Sequence, residues 1–272
     1  MVKHDDVAPV FQKFAAYYDL IYSKLHNYEV ECSLVNKILL KHSRRRPRII
    51  LDVACGTGAD SYEFAKLGYA VHGIDSSAQM IGRAVEKRPP GATNPVFNVM
   101  DMREINLRLK FDAALALFGG FGYLLNHSDV SRFLRGVRKH VPEGPLIFEF
   151  WQTGGVRSSA FEKGGYRTWV RVEDDAHRTL LLRLDTFVAE KRSSIVTLTM
   201  DFYVVDLAKG KLIDRFTETH VKRTYTARQL QTELSRSGYR VAALYELDTV
   251  KKVYRTPGDD SFRVLCVAEP KP

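Results

Sequence analysis

The stretch Leu51-Asp52-Val53-Ala54-Cys55-Gly56-Thr57-Gly58 decides how this chain folds. An apolar run, residues 48–53, leads into it with the composition of a buried parallel strand. Gly56 and Gly58 make a tight turn, and residues 60–67 read as a helix closed by Gly68. A strand, a glycine turn and a helix in that order leave unpaired backbone N–H groups where a ligand can approach closely. Working outward, the same alternation repeats. Strands are predicted at 69–74, 96–99, 111–117 and 145–150, and helices at 77–88 and 128–140. Ser76 or Ser77 caps the first of these helices, and Asn126 or Ser128 the second. A helix at 226–237, with Thr226 as cap, and strands at 239–246 and 262–268 complete the series. Strands spaced by helices imply βαβ units, hence an α/β chain with a doubly wound, mostly parallel sheet of seven strands.

Two regions depart from this pattern. Before it, Val7, Phe11, Phe14, Tyr18, Ile21, Tyr22 and Leu25 recur at helical spacing, and Leu34, Val35, Ile38 and Leu39 continue into a second helix. Within it, residues 165–222 nearly alternate apolar and polar side chains, with a turn at 208–211. No helical period interrupts them, so three or four antiparallel strands are predicted. The expected organisation is one α/β domain, residues 1–151 with 223–272, carrying N-terminal helices and an inserted antiparallel β-sheet at 152–222. That insertion is expected to serve as lid, homodimer interface or both.

The chain has 272 residues, and its formal charge of +9 is its one unusual bulk property. Such a charge suits an anionic partner, either nucleic acid or a small anionic molecule. Much of it lies in the basic run 41–48, which directly precedes the first strand and therefore sits opposite the ligand end of such a sheet. Arg157, Arg167 and Arg171 in the insertion are the expected readers of a small anion. Cys32, Cys55 and Cys266 are far apart and have no metal-ligand spacing, which suggests reduced thiols and no metal. No apolar run is long enough to cross a bilayer, and the first residues lack a signal-peptide core, so a cytoplasmic location is expected.

The turn does not complete the dinucleotide fingerprint, because Ser61 stands where a third glycine belongs. Asp75 ends the next strand, 17 residues after Gly58. A carboxylate there suits the two hydroxyls of a ribose.

With these residues in place, a resemblance becomes specific. Residues 51–58, Gly73-Ile-Asp-Ser-Ser-Ala-Gln-Met80, Asn98-Val-Met-Asp-Met102 and Phe111-Asp-Ala-Ala-Leu-Ala-Leu-Phe118 resemble the four ordered motifs of class I S-adenosylmethionine-dependent methyltransferases. Tyr18-Asp-Leu-Ile-Tyr22, Phe118-Gly-Gly-Phe-Gly-Tyr123 and the inserted sheet are similar to small-molecule members, of the amino-sugar N,N-dimethyl and glycine/sarcosine type. The resemblance implies S-adenosylmethionine as cofactor and a Rossmann-like sheet whose last strand is antiparallel. It implies that Asp52, Ala54, Gly56 and Gly58 cradle the methionine part and that Asp75 holds the ribose. Ser76 and Met80 would lie beside the adenine, and Asp101 and Met102 at its amino edge. Leu117 would offer its backbone to the cofactor amine, while Tyr18, Tyr22 and Tyr28 close the pocket. Methyl transfer needs a nucleophile held in line with the donor carbon and protected from water. An amine nitrogen of a small molecule is the expected acceptor. In the amino-sugar relatives a histidine stands where this chain has Tyr123, and His127 is the histidine nearest in sequence, so both are the catalytic candidates. Glu149 and Trp151 are expected at the substrate mouth. The alternatives are an RNA methyltransferase using the basic surface and a non-catalytic protein that keeps the cofactor fold.

Overall fold

The computed structural model describes residues 10–157, 166–174, 176–189 and 193–271. Val7 and parts of the insertion lie outside them. Five strands, β1 (Ile49–Val53), β2 (Ala70–Asp75), β3 (Val96–Val99), β4 (Ala113–Ala116) and β5 (Leu146–Trp151), pair in parallel. A second sheet follows, from β6 (Tyr166–Asp174) and β7 (Thr179–Ala189) to β8 (Ile195–Asp206) and β9 (Lys211–Arg223). All its neighbours are antiparallel. The chain then returns to the first sheet as β10 (Tyr239–Asp248), β11 (Val253–Arg255) and β12 (Arg263–Pro270). The order across that sheet is β11-β10-β12-β5-β4-β1-β2-β3, with β12 antiparallel to both neighbours. The short edge strand β11 makes eight strands where seven were predicted.

Helices α1 (Tyr18–Leu25), α2 (Tyr28–His42), α3 (Ala59–Lys66), α4 (Ala78–Glu86), α5 (His127–His140), α6 (Thr153–Arg157) and α7 (Ala227–Arg236) complete the chain. Their starts follow from side-chain caps. Ser77 accepts the amide of Met80, Asn126 that of Asp129, and Thr226 forms a reciprocal capping box with Gln229.

Both faces of the first sheet are covered by apolar side chains. Phe121, Phe133, Phe148 and Leu134 form one layer, and Val35, Ile38, Leu115 and Ile147 the other. A third cluster joins the N-terminal segment to the second sheet, where Phe14 packs on Phe202 at 4.8 Å and Phe202 stacks on Phe216 at 4.4 Å. The two ends of the insertion are tied together. The amide of Tyr225 donates to the Trp151 carbonyl at 3.0 Å, and the amide of Thr153 to the Tyr225 carbonyl at 3.0 Å. The second sheet is thereby held against the carboxyl ends of β1–β5. The N-terminus is less helical than its periodicity suggests. A single 3-10 turn, Phe14–Ala16, precedes α1, and Phe11 has a left-handed backbone with φ 60°.

Candidate active site

The carboxyl ends of the parallel strands open into a cavity of about 350 Å³, roofed by α1, β8 and β9. Two corners of its floor are strained. Ala54 after β1 and Phe118 after β4 have left-handed φ values of 55° and 57°, which cost on the order of 1 kcal/mol each for residues with a Cβ. The corners nearly touch, because a Cβ added at Gly120 would lie 2.8 Å from the Ala54 Cβ. Glycine at 120 thus lets the two strand ends meet beneath the cavity.

Asp75 ends β2 at the cavity wall. One carboxylate oxygen accepts the Gly56 amide at 2.9 Å and the other the Ser77 amide at 2.8 Å. Burial raises its pKa, against the opposing pull of those two amides. Each oxygen keeps a second lone pair, so the two acceptors fit the hydroxyls of a vicinal diol. Ala54, Gly56, Ser76, Met80 and Leu117 also line the cavity. Asp52 does not. It lies behind the glycine turn, accepts the Ser61 hydroxyl at 2.5 Å, and burial with the neighbouring Asp60 pushes its carboxyl up to about 8. Gly58 also faces away from the cavity. A Cβ there would meet the Phe97 ring at 2.6 Å, so its role is to let the left-handed turn pack on that ring.

Asp101 and Met102 reach the cavity wall, but the Asp101 carboxylate is already occupied. It accepts the Arg103 amide at 2.8 Å, Nε at 3.0 Å and Nη2 at 2.5 Å. Arg103 thus takes up most of the acceptor capacity of this carboxylate through its backbone amide and its guanidinium.

Tyr18 and Tyr22 line the cavity with their ring centroids 4.5 Å apart. Tyr28 does not line it. Its ring stacks on Phe118 at 5.4 Å, which places it behind the wall. Tyr123 does line it, and its hydroxyl lies 2.6 Å from Nδ1 of His220 on β9. His220 Nε2 in turn lies 3.6 Å from Glu218. Burial pulls the His220 pKa down, and burial raises that of Tyr123 well above its ordinary value, so both are neutral at pH 7. Glu218 also accepts the amides of Phe11, Gln12 and Phe14 at 2.8, 3.0 and 3.0 Å. His127, the other catalytic candidate, is absent from the cavity. It starts α5 half exposed and binds Glu233 at 2.5 Å.

At the far end, Glu149 and Trp151 line the cavity as expected. Arg263 on β12 holds Glu149 at 2.8 Å and Glu31 at 3.2 Å. The exposed Arg157, Arg167 and Arg171 do not line the cavity, and Arg171 pairs with Glu173. The sequence reading missed His220, Lys222 and Arg263. A signal was available, since Glu218, His220 and Lys222 fall at alternate positions of β9 and share one face.

Residues 50–144 match the family model described as a methyltransferase domain. This chain carries a methyltransferase domain. A putative methyltransferase of Bacillus subtilis, YqeM, is 28% identical over 85% of this chain and 87% of its own. The Streptomyces fradiae dTDP-3-amino-3,6-dideoxy-alpha-D-glucopyranose N,N-dimethyltransferase is 26% identical over 83% and 87%. The solved S-adenosylmethionine-dependent methyltransferase of Clostridium acetobutylicum shares the fold of this chain, with a TM-score of 0.78. That match covers 97% of this chain and 100% of the other at 18% identity. No helix among the described residues is long and apolar enough to cross a membrane.

Proposed function

We propose that this protein transfers a methyl group from S-adenosylmethionine to an amine nitrogen of a small molecule. The observation that carries the reading is Asp75, whose carboxylate is fixed by two backbone amides at the end of β2 with lone pairs left for a ribose diol. When bound, S-adenosylmethionine supplies an activated methyl on a neutral leaving group. The chain's residues hold the acceptor, exclude water and take up a proton. The relatives that share most of this chain's length include an enzyme named for an amino-sugar substrate, which supports an amine.

The Tyr123–His220 pair handles the proton. The Tyr123 hydroxyl donates to Nδ1 of neutral His220, which leaves the tyrosine oxygen able to accept an N–H from an amine in the cavity. As the acceptor nitrogen forms its new bond to carbon, its proton moves to the Tyr123 oxygen and the tyrosine proton to Nδ1. The resulting imidazolium faces Glu218 at 3.6 Å. Tyrosine alone, with an ordinary pKa of about 10, is too weak a base near neutrality. The inserted segment 152–222 acts as a lid and acceptor subdomain, since β8 and β9 give Leu198, Met200, His220 and Lys222 to the cavity. An RNA substrate is disfavoured because the basic loop, with Arg45 paired to Glu143, precedes β1 at the other end of the sheet.

The test is a screen with methyl-labelled cofactor against simple amines, nucleotide amino sugars, phenols and bulk RNA. Label on a small amine is expected. Label on RNA alone would refute the reading.

A further inference from the structure

Among the described residues, one buried cation in the cavity has no ion-pair partner. Lys222 on β9 is only 7% exposed, yet it lines the cavity. Its Nζ lies 4.4 Å from the Trp151 ring centroid and 4.7 Å from that of Tyr123. Its hydrogen bond is a long one, to the Gly119 carbonyl at 3.4 Å. An ammonium has three donors, so two remain to be satisfied. Among the described residues Lys222 is in no ion pair. Glu149, the acid whose charge acts on Lys222, pairs with Arg263 through Oε2. Burying a charge without an opposite charge is costly unless a ligand supplies one.

Position within the sheet says which ligand. Ala54, Gly56, Asp75 and Asp101 stand at the ends of β1, β2 and β3, on one side of the cavity. Lys222 projects toward Trp151, Glu149 and Arg263, at the ends of β5 and β12 on the other side. The first side is the one that fits the cofactor, so Lys222 belongs to the acceptor side. We infer that Lys222 is the receiving group for an anionic substituent, a carboxylate or a phosphate, of the methyl acceptor. This rests on reading the cavity as a methyl-transfer site. It assigns to Lys222 the anion recognition expected of Arg157, Arg167 and Arg171, which lie elsewhere. The aromatic pair around Nζ favours the ammonium form and leaves its remaining donors for an anion. Burial, only partly offset by Glu149 and reinforced by Arg263, pulls the Lys222 pKa down to about 8, so the side chain is mostly charged at pH 7.

The experiment needs no known acceptor. The chain has two tryptophans, Trp151 and Trp169, so a Trp169→Phe background makes emission report on Trp151 beside Nζ. Binding of S-adenosylhomocysteine is measured first by calorimetry, and a failure there would indict the proposed function rather than Lys222. The protein saturated with S-adenosylhomocysteine is then titrated at constant ionic strength with sodium acetate and, separately, with inorganic phosphate. A saturable change in emission is expected with at least one of them, and which one binds more tightly tells a carboxylate from a phosphate. Lys222→Met is expected to weaken that binding about tenfold or more, with Lys222→Arg closer to wild type. The affinity of S-adenosylhomocysteine is expected to be unchanged in Lys222→Met, which also shows that the variant is folded. The inference is overturned if neither anion gives a saturable response, or if Lys222→Met responds like wild type. It is equally overturned if Lys222→Met loses cofactor affinity about tenfold, because the anion would then be the carboxylate of the cofactor itself.

Discussion

Removing the Glu218 side chain should release the segment that covers the cavity. Glu218 gathers the amides of Phe11, Gln12 and Phe14 on one carboxylate. Phe11 lines the cavity and packs edge-on against His220 at 4.8 Å, so this clasp closes the N-terminal segment over the proposed proton pair. Hydrogen bonds to a charged acceptor contribute about 1.5–3 kcal/mol each. Gln12 is exposed and its amide reaches water on opening, so only the Phe11 and Phe14 bonds count in full. Two bonds at the lower figure give about 3 kcal/mol, or roughly a hundredfold in the local opening equilibrium. Glu218→Ala should therefore speed amide hydrogen exchange at Phe11 and Phe14 by about that factor, with smaller changes in the parallel sheet. Glu218→Gln keeps an acceptor oxygen and should lie between. Burial raises the Glu218 pKa, but His220 and the amides of Phe14 and Phe11 outweigh it and hold the carboxyl below its ordinary value. A lowered native pKa means that the clasp is at full strength above the ordinary glutamate value of about 4.3, and that it is lost as pH falls through the lowered one. Exchange at Phe11 and Phe14 that is the same in wild type and Glu218→Ala would refute this reasoning.

Other outcomes follow from the same geometry. Tyr123→Phe and His220→Asn should each lower kcat by about a hundredfold or more, and the double variant should lose little beyond either single change. Multiplying losses in steady-state kinetics would mean that the two do not act as one route. Asp52 binds its proton more tightly in the native state, with a pKa of about 8. Its contribution is therefore present at low pH and declines from about pH 4 to pH 8. Urea midpoints should accordingly fall less between pH 5 and pH 8 in Asp52→Asn than in wild type, and equal falls would contradict the assignment. His127→Ala should leave kcat unchanged and cost at most about 1 kcal/mol through the half-exposed pair with Glu233.

The parallel sheet was legible because its strands are short apolar runs separated by helices with caps at Ser77, Asn126 and Thr226. Several positions lining the cavity at the ends of β1 and β2 were also legible. Gly56 follows β1 and Asp75 ends the adjacent parallel strand β2, and the Gly56 amide donates to the Asp75 carboxylate at 2.9 Å. What escaped is what depends on distant segments. Asp52 belongs to the motif, yet it turns to Ser61 behind the loop, which no spacing records. Tyr28, grouped with Tyr18 and Tyr22 through the resemblance, begins the next helix and stacks on Phe118. His127 is near Tyr123 in sequence, but the cap of α5 directs it outward. His220 is 97 residues away and becomes the partner of Tyr123 only because the antiparallel sheet folds over the strand ends. The edge strand β11 has three residues, too few to show a period.

The most direct test of the central claim is a calorimetric titration of the whole chain with S-adenosylhomocysteine, repeated for Asp75→Ala. The account predicts one site in the wild type. It predicts an affinity lower by about a hundredfold in the variant, because two hydrogen bonds of a diol to a carboxylate are lost at about 1.5 kcal/mol each. No binding by the wild type, or equal binding by Asp75→Ala, would contradict it.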